Sequence, residues 1–318
     1  MKEKQYITVA PTVGDREEAA ALVRAGEEAF DARLDAVAEE ICRACTHDDV
    51  RIVRLSGPTC AGKTTTARKL TSALEAAGCT VYPISLDDFF YGRDVLEAFA
   101  AEDPEGKLDY DSVEALDLDR LGRCVRELME TGRAEIPVFD FTTGYANETR
   151  LLDTTAHPEE KPVFLFEGIQ AVYPEVVEMF RDVPNRSIFI NVECGIRIAD
   201  SATVVEPDEI RLMRRIVRDE AKRATDPAFT LWLWHSVRDN EEKSILPYAD
   251  GCDFRIDSVM PFELHMLAPH LRRVLGDHPV RGEEAAAADA LLRKLEGVTG
   301  IDADLISENS LYHEFIVV

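Results

Sequence analysis

The sequence predicts an α/β fold, a three-layer sandwich in which a mostly parallel sheet is covered by helices on both faces. Short apolar runs rich in Val, Ile, Leu and Phe recur along the chain, as in "VRIVRLSG", "CTVYPISL", "PVFLFEG" and "RSIFINV". Such runs are the mark of strands buried on both sides. Segments with apolar residues at helical spacing lie between them, and strands alternating with helices of that length imply parallel crossovers. The third observation is a glycine-rich loop, "GPTCAGKT", set between one of these strands and the helix that follows.

Taken in order, residues 15–46 ("DREEAAALVRAGEEAFDARLDAVAEEICRACT") read as one or two amphipathic helices, an N-terminal helical extension over residues 1–48. "VRIVRLSG" is a buried strand. "TTTARKLTSALEAAG" is a helix stopped at Gly78, and "CTVYPISL" is the next strand. A loop rich in Gly, Asp and Pro runs from about Tyr91 to Asp111; "SVEALDLDRLGRCVRELMETG" is helical and "EIPVFDF" is extended. After "PVFLFEG" and "RSIFINV" comes a long charged helix from Pro207 to Ala224, then a strand at "CDFRIDS" and helices over 261–276 and 283–295. Residues 281–318 form a C-terminal helix and tail that pack on the main domain.

Composition narrows the function. The chain has 318 residues, 46% of them hydrophobic, enough for a sizeable core. Its 36 Lys and Arg face 61 Asp and Glu, a formal net charge of -25. A surface of that sign repels nucleic acid and anionic membranes, so neither is expected as a partner, and any anionic substrate must meet a local basic patch. Seven scattered cysteines point to reduced thiols and a cytoplasmic setting. Cys42 and Cys45 form an isolated C-x-x-C in a helical pattern, which favours a structural role.

Gly57, Gly62, Lys63 and Thr64 satisfy G-x-x-x-x-G-K-[ST] between a strand and a helix. In that context Gly57, Pro58, Thr59, Cys60, Ala61, Gly62, Lys63, Thr64 and Thr65 are candidates to wrap the phosphates of ATP or GTP. Glycine lets backbone N–H groups turn inward, the helix start adds partial positive charge, Lys63 neutralises the terminal phosphates and the Thr64 hydroxyl ligates Mg²⁺. No N-K-x-D element of a GTPase is present. The comparable apolar strand ends in Glu167, a lone carboxylate facing the loop. Asp87 and Asp88 follow the strand "VYPISL", so their carboxylates emerge at the edge where an open parallel sheet holds its ligands. One of the two is the candidate base for phosphoryl transfer to an alcohol, and both are equally suited to a turn or helix cap.

In "RLMRRIVRDEAKRA" the residues Arg211, Arg215, Arg218 and Lys222 recur along one helical face, with Arg214 beside them. This face is either the phosphate-binding patch that the net charge requires or a solvated surface laced with salt bridges. Trp232 and Trp234 pack a lid onto the core or stack on a base.

Together these segments resemble the uridine kinase and phosphoribulokinase family of P-loop kinases. The resemblance is closest to a bacterial uridine kinase-like branch normally fused to a threonyl-tRNA synthetase-like N-terminal domain. It rests on "SGPTCAGKTTTARKL", "PISLDDFF", "DYDSVEALDLDRL", "IPVFDFTTG", "FLFEGIQAVYPE", "RLMRRIVRDEAKRA", "HSVRDNEEKSILPYAD" and "SENSLYHEF", in that order over residues 28–316. The resemblance implies a P-loop NTPase fold of the nucleoside/nucleotide kinase-like type over residues 49–280, with a helical lid at about 207–248. It implies that Asp87 is the general base and Glu167 a Mg²⁺-side carboxylate beside Thr64. Asp109 is implied to meet sugar hydroxyls, Phe139 and Tyr145 the nucleobase region, and Arg211, Arg214, Arg218 and Arg223 the substrate or phosphates. Lys63, Arg214 and Arg223 would stabilise charge on the transferred group. Ala224 stands where the family's lid has Gly, Val204 where the branch often has Arg, and Gly144 with Tyr145 where uridine kinases carry a base-reading His.

The expectation is an ATP- and Mg²⁺-dependent kinase acting on the 5′-hydroxyl of a small-molecule nucleoside of the uridine/cytidine type. A homo-oligomer is compatible with it. Two other readings stay open: a kinase for another alcohol (a sugar, a sugar phosphate or a pantothenate-like molecule), and a non-catalytic ATP-binding regulator.

Overall fold

The computed structural model describes residues 4–102, 112–156 and 162–318. In chain order the elements are β1 (Tyr6–Val9), α1 (Arg16–His47), β2 (Ile52–Ser56), α2 (Lys63–Ala76), β3 (Thr80–Ser85) and α3 (Arg93–Glu102). Next come α4 (Leu118–Thr131), a hairpin of β4 (Arg133–Asp140) and β5 (Tyr145–Asp153), β6 (Pro162–Glu167), α5 (Pro174–Met179), β7 (Asn185–Asn191), β8 (Gly195–Ile198) and β9 (Val204–Val205). The chain closes with α6 (Pro207–Arg223), α7 (Pro227–Asn240), α8 (Leu246–Ala249), β10 (Phe254–Asp257), α9 (Glu263–Asp277) and α10 (Ala285–Lys294).

The central sheet has the order β10-β7-β2-β6-β3, every pair parallel. Alternation along its strands feeds two cores. Val53, Leu55, Val163, Leu165, Ile188 and Ile190 point to one. Ile52, Ile84, Phe164, Phe166 and Phe189 point to the other. Burial on both faces is what the continuous apolar runs require, and it is why β2 reads as apolar at nearly every position. Its one charge, Arg54, is buried against the Ala171 carbonyl (2.7 Å) and Asn185 Oδ1.

Register brings the functional strand ends together. Ser85 of β3 lies opposite Glu167 of β6, which lies opposite Leu55 of β2. The phosphate loop, the Asp87 turn and Glu167 therefore leave the same edge of the sheet side by side, at the carboxyl ends where ligands bind in open α/β folds.

The N-terminal segment is built into this body. α1 is one continuous helix of 32 residues, started by Asp15, whose carboxylate accepts from the N–H groups of Glu17 and Glu18. Val23, Phe30, Leu34, Ala38 and Ile41 are buried in the larger core. Residues 15–46, read as one or two helices of an N-terminal extension, are a single helix built into the body: its apolar stripe packs on α2, and Gly26 lies against Pro261 and Phe262 just ahead of α9. β1 ahead of α1, missed in the sequence for its shortness, pairs parallel with β8. The tail after α10 also returns to the centre. Tyr312 is fully buried between Phe262 and Phe315, at ring distances of 5.0 and 5.9 Å. No helix among the described residues is long and apolar enough to cross a membrane.

Candidate active site

The loop from Gly57 to Lys63 is held tightly at both ends. A Cβ on Gly57 would stand 2.0 Å from the Ile190 carbonyl oxygen, so only glycine lets the loop cross β7 here. Gly62 has φ +95° and lies against Leu311, whose side chain an added Cβ would meet at 2.5 Å. α2 begins at Lys63, with its first-turn N–H groups facing the loop. Lys63 Nζ donates to the Pro58 carbonyl at 3.0 Å, which folds the side chain back over the loop.

A cavity of about 460 Å³ opens at this edge, and its wall includes Lys63, Thr64, Asp87, Glu167, Gln170 and Arg223. Burial pushes the Asp87 carboxyl above the usual carboxylate range, and the charge of Lys63 opposes that push. Glu167 is likewise raised, by burial first and by the nearby Asp87 second, while Ser85 Oγ donates to its Oε1 at 3.1 Å. Asp88 does something else. Its Oδ1 accepts the Phe139 N–H at 3.2 Å and so ties the β4 strand to the turn after β3. The two acids that strand-end position alone left equivalent are separated here: Asp87 lines the cavity and Asp88 braces its wall.

The arginines of α6 divide in the same way. Arg211 is 2% exposed and forms a two-pronged pair with Glu241 at 2.6 and 2.8 Å, stacks over Trp234, and donates to the Thr59 carbonyl. Arg214 is 0% exposed, paired with Glu263 at 2.7 and 2.8 Å, packed on the rings of Tyr312 and Phe315, and donates to the Cys60 carbonyl. Burial disfavours its charge, but Glu263 outweighs this and holds the guanidinium firmly protonated. Neither residue is on the cavity wall, where the resemblance implied Arg211 and Arg214 at the substrate and Arg214 in catalysis; both side chains instead reach loop carbonyls. They grip the phosphate loop from beneath, because a buried cation needs a fixed anion and carbonyl oxygens within reach.

Arg215, Arg218 and Arg223 do line the cavity, all tethered to Asp219. α6 is therefore neither a solvated face nor a uniform phosphate patch, since its buried run extends from Ile210 to Asp219. Trp234 packs against the core as one of the two sequence readings had it, and Trp232 is exposed beside Phe229.

At the far end of the cavity Phe139 stands with Phe90 and Phe141, ring centres 5.6 and 5.0 Å away. Tyr145 begins β5 outside the wall, its ring against Gly92. Asp109 lies outside the described residues. Sequence reasoning missed Arg93 and Gln170, which join the wall. Gln170 is fully buried with neither amide atom hydrogen-bonded, and a polar residue inside the apolar run "GIQAVY" was the available signal. Glu241 and Glu314 were missed as well, each contributing a carboxylate to the loop's N–H groups.

Among oxygen donors, the Thr64 hydroxyl and the Glu167 carboxylate suit Mg²⁺. No group of three or more acid, His or Cys side chains among the described residues is arranged to hold a metal. Mg²⁺ in phosphoryl-transfer sites takes only one or two protein ligands and completes its shell with phosphate and water, so this pair fits.

A phosphate loop, a half-buried carboxylate near its lysine and a cationic helix at the C-terminal edge of a parallel sheet are the parts of a P-loop phosphotransferase. Residues 52–264 match the Phosphoribulokinase / Uridine kinase family. The chain belongs to that family, whose members transfer phosphate to an alcohol. It is 26% identical over 172 residues to a uridine kinase of Lactobacillus johnsonii, covering 54% of this chain and 69% of that one. It is 28% identical over 177 residues to a uridine kinase of Schizosaccharomyces pombe, covering 56% of this chain and 33% of that one. The chain thus spans about a third of that yeast relative. Among solved structures, the phosphoribulokinase of Rhodobacter spheroides superposes with a TM-score of 0.43 at 18% identity, over 67% of this chain and 74% of that one.

Proposed function

We propose that the chain is an ATP-dependent kinase that phosphorylates the 5′-hydroxyl of a nucleoside of the uridine/cytidine type. The observation that carries this is Asp87, a half-buried carboxylate on the wall that also holds Lys63, Thr64 and Glu167. In this reading the loop residues Gly57 to Thr65 cradle the phosphates and Lys63 leaves the Pro58 carbonyl for the terminal phosphate. Asp87 accepts the proton of the attacking hydroxyl. Bound Mg²⁺, held by Thr64 and Glu167, supplies charge neutralisation on the phosphates. Arg218 and Arg223 supply positive charge where the transferred group gains negative charge. Phe139, with Phe90 and Phe141, offers an aromatic wall for a base, and Asp109 is assigned to the sugar hydroxyls. The absence of a membrane-spanning helix among the described residues and seven cysteines outside any disulfide suit work in the cytoplasm.

One observation favours a second acceptor class. Arg93 and Gly144, rather than a histidine, stand on the wall near Phe139. A guanidinium there suits an acceptor that already bears an anion, such as a sugar phosphate. ADP release measured with ATP, Mg²⁺ and a panel of uridine, cytidine, purine nucleosides, free sugars, sugar phosphates and pantothenate decides between them. Stimulation by pyrimidine nucleosides above all others supports the proposal. Stimulation only by phosphorylated alcohols replaces it, and ATP binding without turnover on any of them indicates a regulator.

A further inference from the structure

Two N–H groups at the phosphate loop and the helix start that follows it already donate to carboxylates. Thr59 N donates to Glu241 Oε1 at 3.2 Å, and Thr65 N donates to Glu314 Oε2 at 3.3 Å. Glu241 has a structural reason to be there, since it is 2% exposed and clamped by Arg211 and Arg238. Glu314 does not. It comes from the C-terminal tail, 249 residues after Thr65, it forms no ion pair within 4.0 Å among the described residues, and its one hydrogen bond there is to the first turn of α2. That turn presents the donors that a phosphate chain needs.

The rest of the tail is anchored so as to deliver this carboxylate. Leu311 covers Gly62, Tyr312 and Phe315 pack on the guanidinium of Arg214, and the carbonyl of His313 accepts from Lys222 Nζ. Ser310 caps the short turn through the Tyr312 N–H. Glu314 therefore stands on the cavity wall with Lys63 and Arg218.

We infer that Glu314 is a stand-in anion: its carboxylate holds the Thr65 N–H and must be displaced when the phosphates of ATP take that donor. A carboxylate and a phosphate oxygen at one N–H place two anions at the same point, and these repel. Arg218 and Lys222 are the cations on the adjacent face of α6, toward which the released carboxylate can swing. The tail thereby sets nucleotide affinity, and the inference rests on the loop being a nucleotide site, as the proposed function holds.

The test is the ATP dissociation constant, by calorimetry, for the parent chain, Glu314→Gln, Glu314→Ala and, as a control in the same tail, Glu308→Gln at an exposed position. Glu314→Gln keeps shape and removes charge. A hydrogen bond to a charged group that no longer competes corresponds to roughly 10- to 150-fold tighter ATP binding, with Glu308→Gln unchanged. Equal or weaker binding by folded Glu314 variants overturns the inference and leaves the nucleotide site standing. No ATP binding by any of the four proteins, the parent included, overturns both. Hydrogen exchange on the parent chain gives a reading free of substitutions. ATP should protect residues 57–66 while exchange over 311–316 quickens, and a tail equally or better protected with ATP contradicts the displacement.

Discussion

Asp87 and Asp88 differ by one position in the chain and by everything in their surroundings. The pair's chemistry was legible in the sequence as acids at a strand end, but which acid faced the cavity depended on the Phe139 N–H arriving from β4, a contact across 51 residues. Asp88→Asn should keep a hydrogen-bond acceptor and hence most of the activity. Asp88→Ala should destabilise the fold by about 1–3 kcal/mol by leaving that N–H unpaired, readable from urea unfolding. The raised Asp87 carboxyl also fixes a pH dependence. The base must be ionised, so kcat/KM for the acceptor should fall on the acid side with a midpoint above the ordinary aspartate value of about 3.9; a midpoint at or below that value contradicts the burial argument. For stability the sign is opposite. A carboxyl raised in the folded state binds its proton more readily than in the unfolded chain, so stability is lost as pH rises through the folded value. Asp87→Asn, which cannot ionise, should melt higher than the parent at neutral pH, and a lower melting temperature contradicts this.

At the scale of elements, α6 shows where periodicity stops being informative. Arginines three and four apart defined a face, but the spacing could not say that the face was buried, because Glu241 and Glu263 lie 30 and 49 residues away from the arginines they pair with. The strands of the central sheet were legible because burial on both sides makes them apolar throughout, whereas β1 and β9, of four and two residues, carry too little pattern. The two arginines under the loop have a measurable consequence. Arg214→Met leaves Glu263 buried without its cation and should cost about 3–5 kcal/mol in unfolding free energy, whereas a solvated arginine would cost almost nothing. The end of α6 offers the reverse experiment. Ala224 sits in the left-handed region at φ 50°, ψ 36°, where a Cβ is strained. Ala224→Gly should stabilise the protein by about 0.5–1 kcal/mol, seen as a higher melting temperature; a lower one contradicts the strain argument.

Across the whole molecule, the segments at both ends of the described chain pack back onto the central body, and the tail after α10 reaches the candidate site. α1 fills the larger core with Val23, Phe30, Leu34 and Ile41, and the tail after α10 lays Tyr312 and Glu314 beside the phosphate loop. These long-range returns left no local mark, which is why the helices looked detachable in the sequence while the loop, Lys63, Thr64 and Glu167 were legible from short motifs. A chain lacking residues 4–47 should lose cooperative unfolding altogether, because it exposes one side of the core; a well-folded truncated protein would show α1 to be dispensable. The net charge of -25 is answered at one place, where Lys63, Arg215, Arg218 and Arg223 gather around the cavity. In the proposed reaction, attack on phosphorus there needs a proton acceptor, the role proposed for Asp87. The turnover number of Asp87→Asn, measured as acceptor-stimulated ADP release under saturating ATP and Mg²⁺, tests this most directly. A fall of about 100-fold or more with ATP affinity retained is the expected result. A rate within about tenfold of the parent would contradict the assignment of Asp87 as the base.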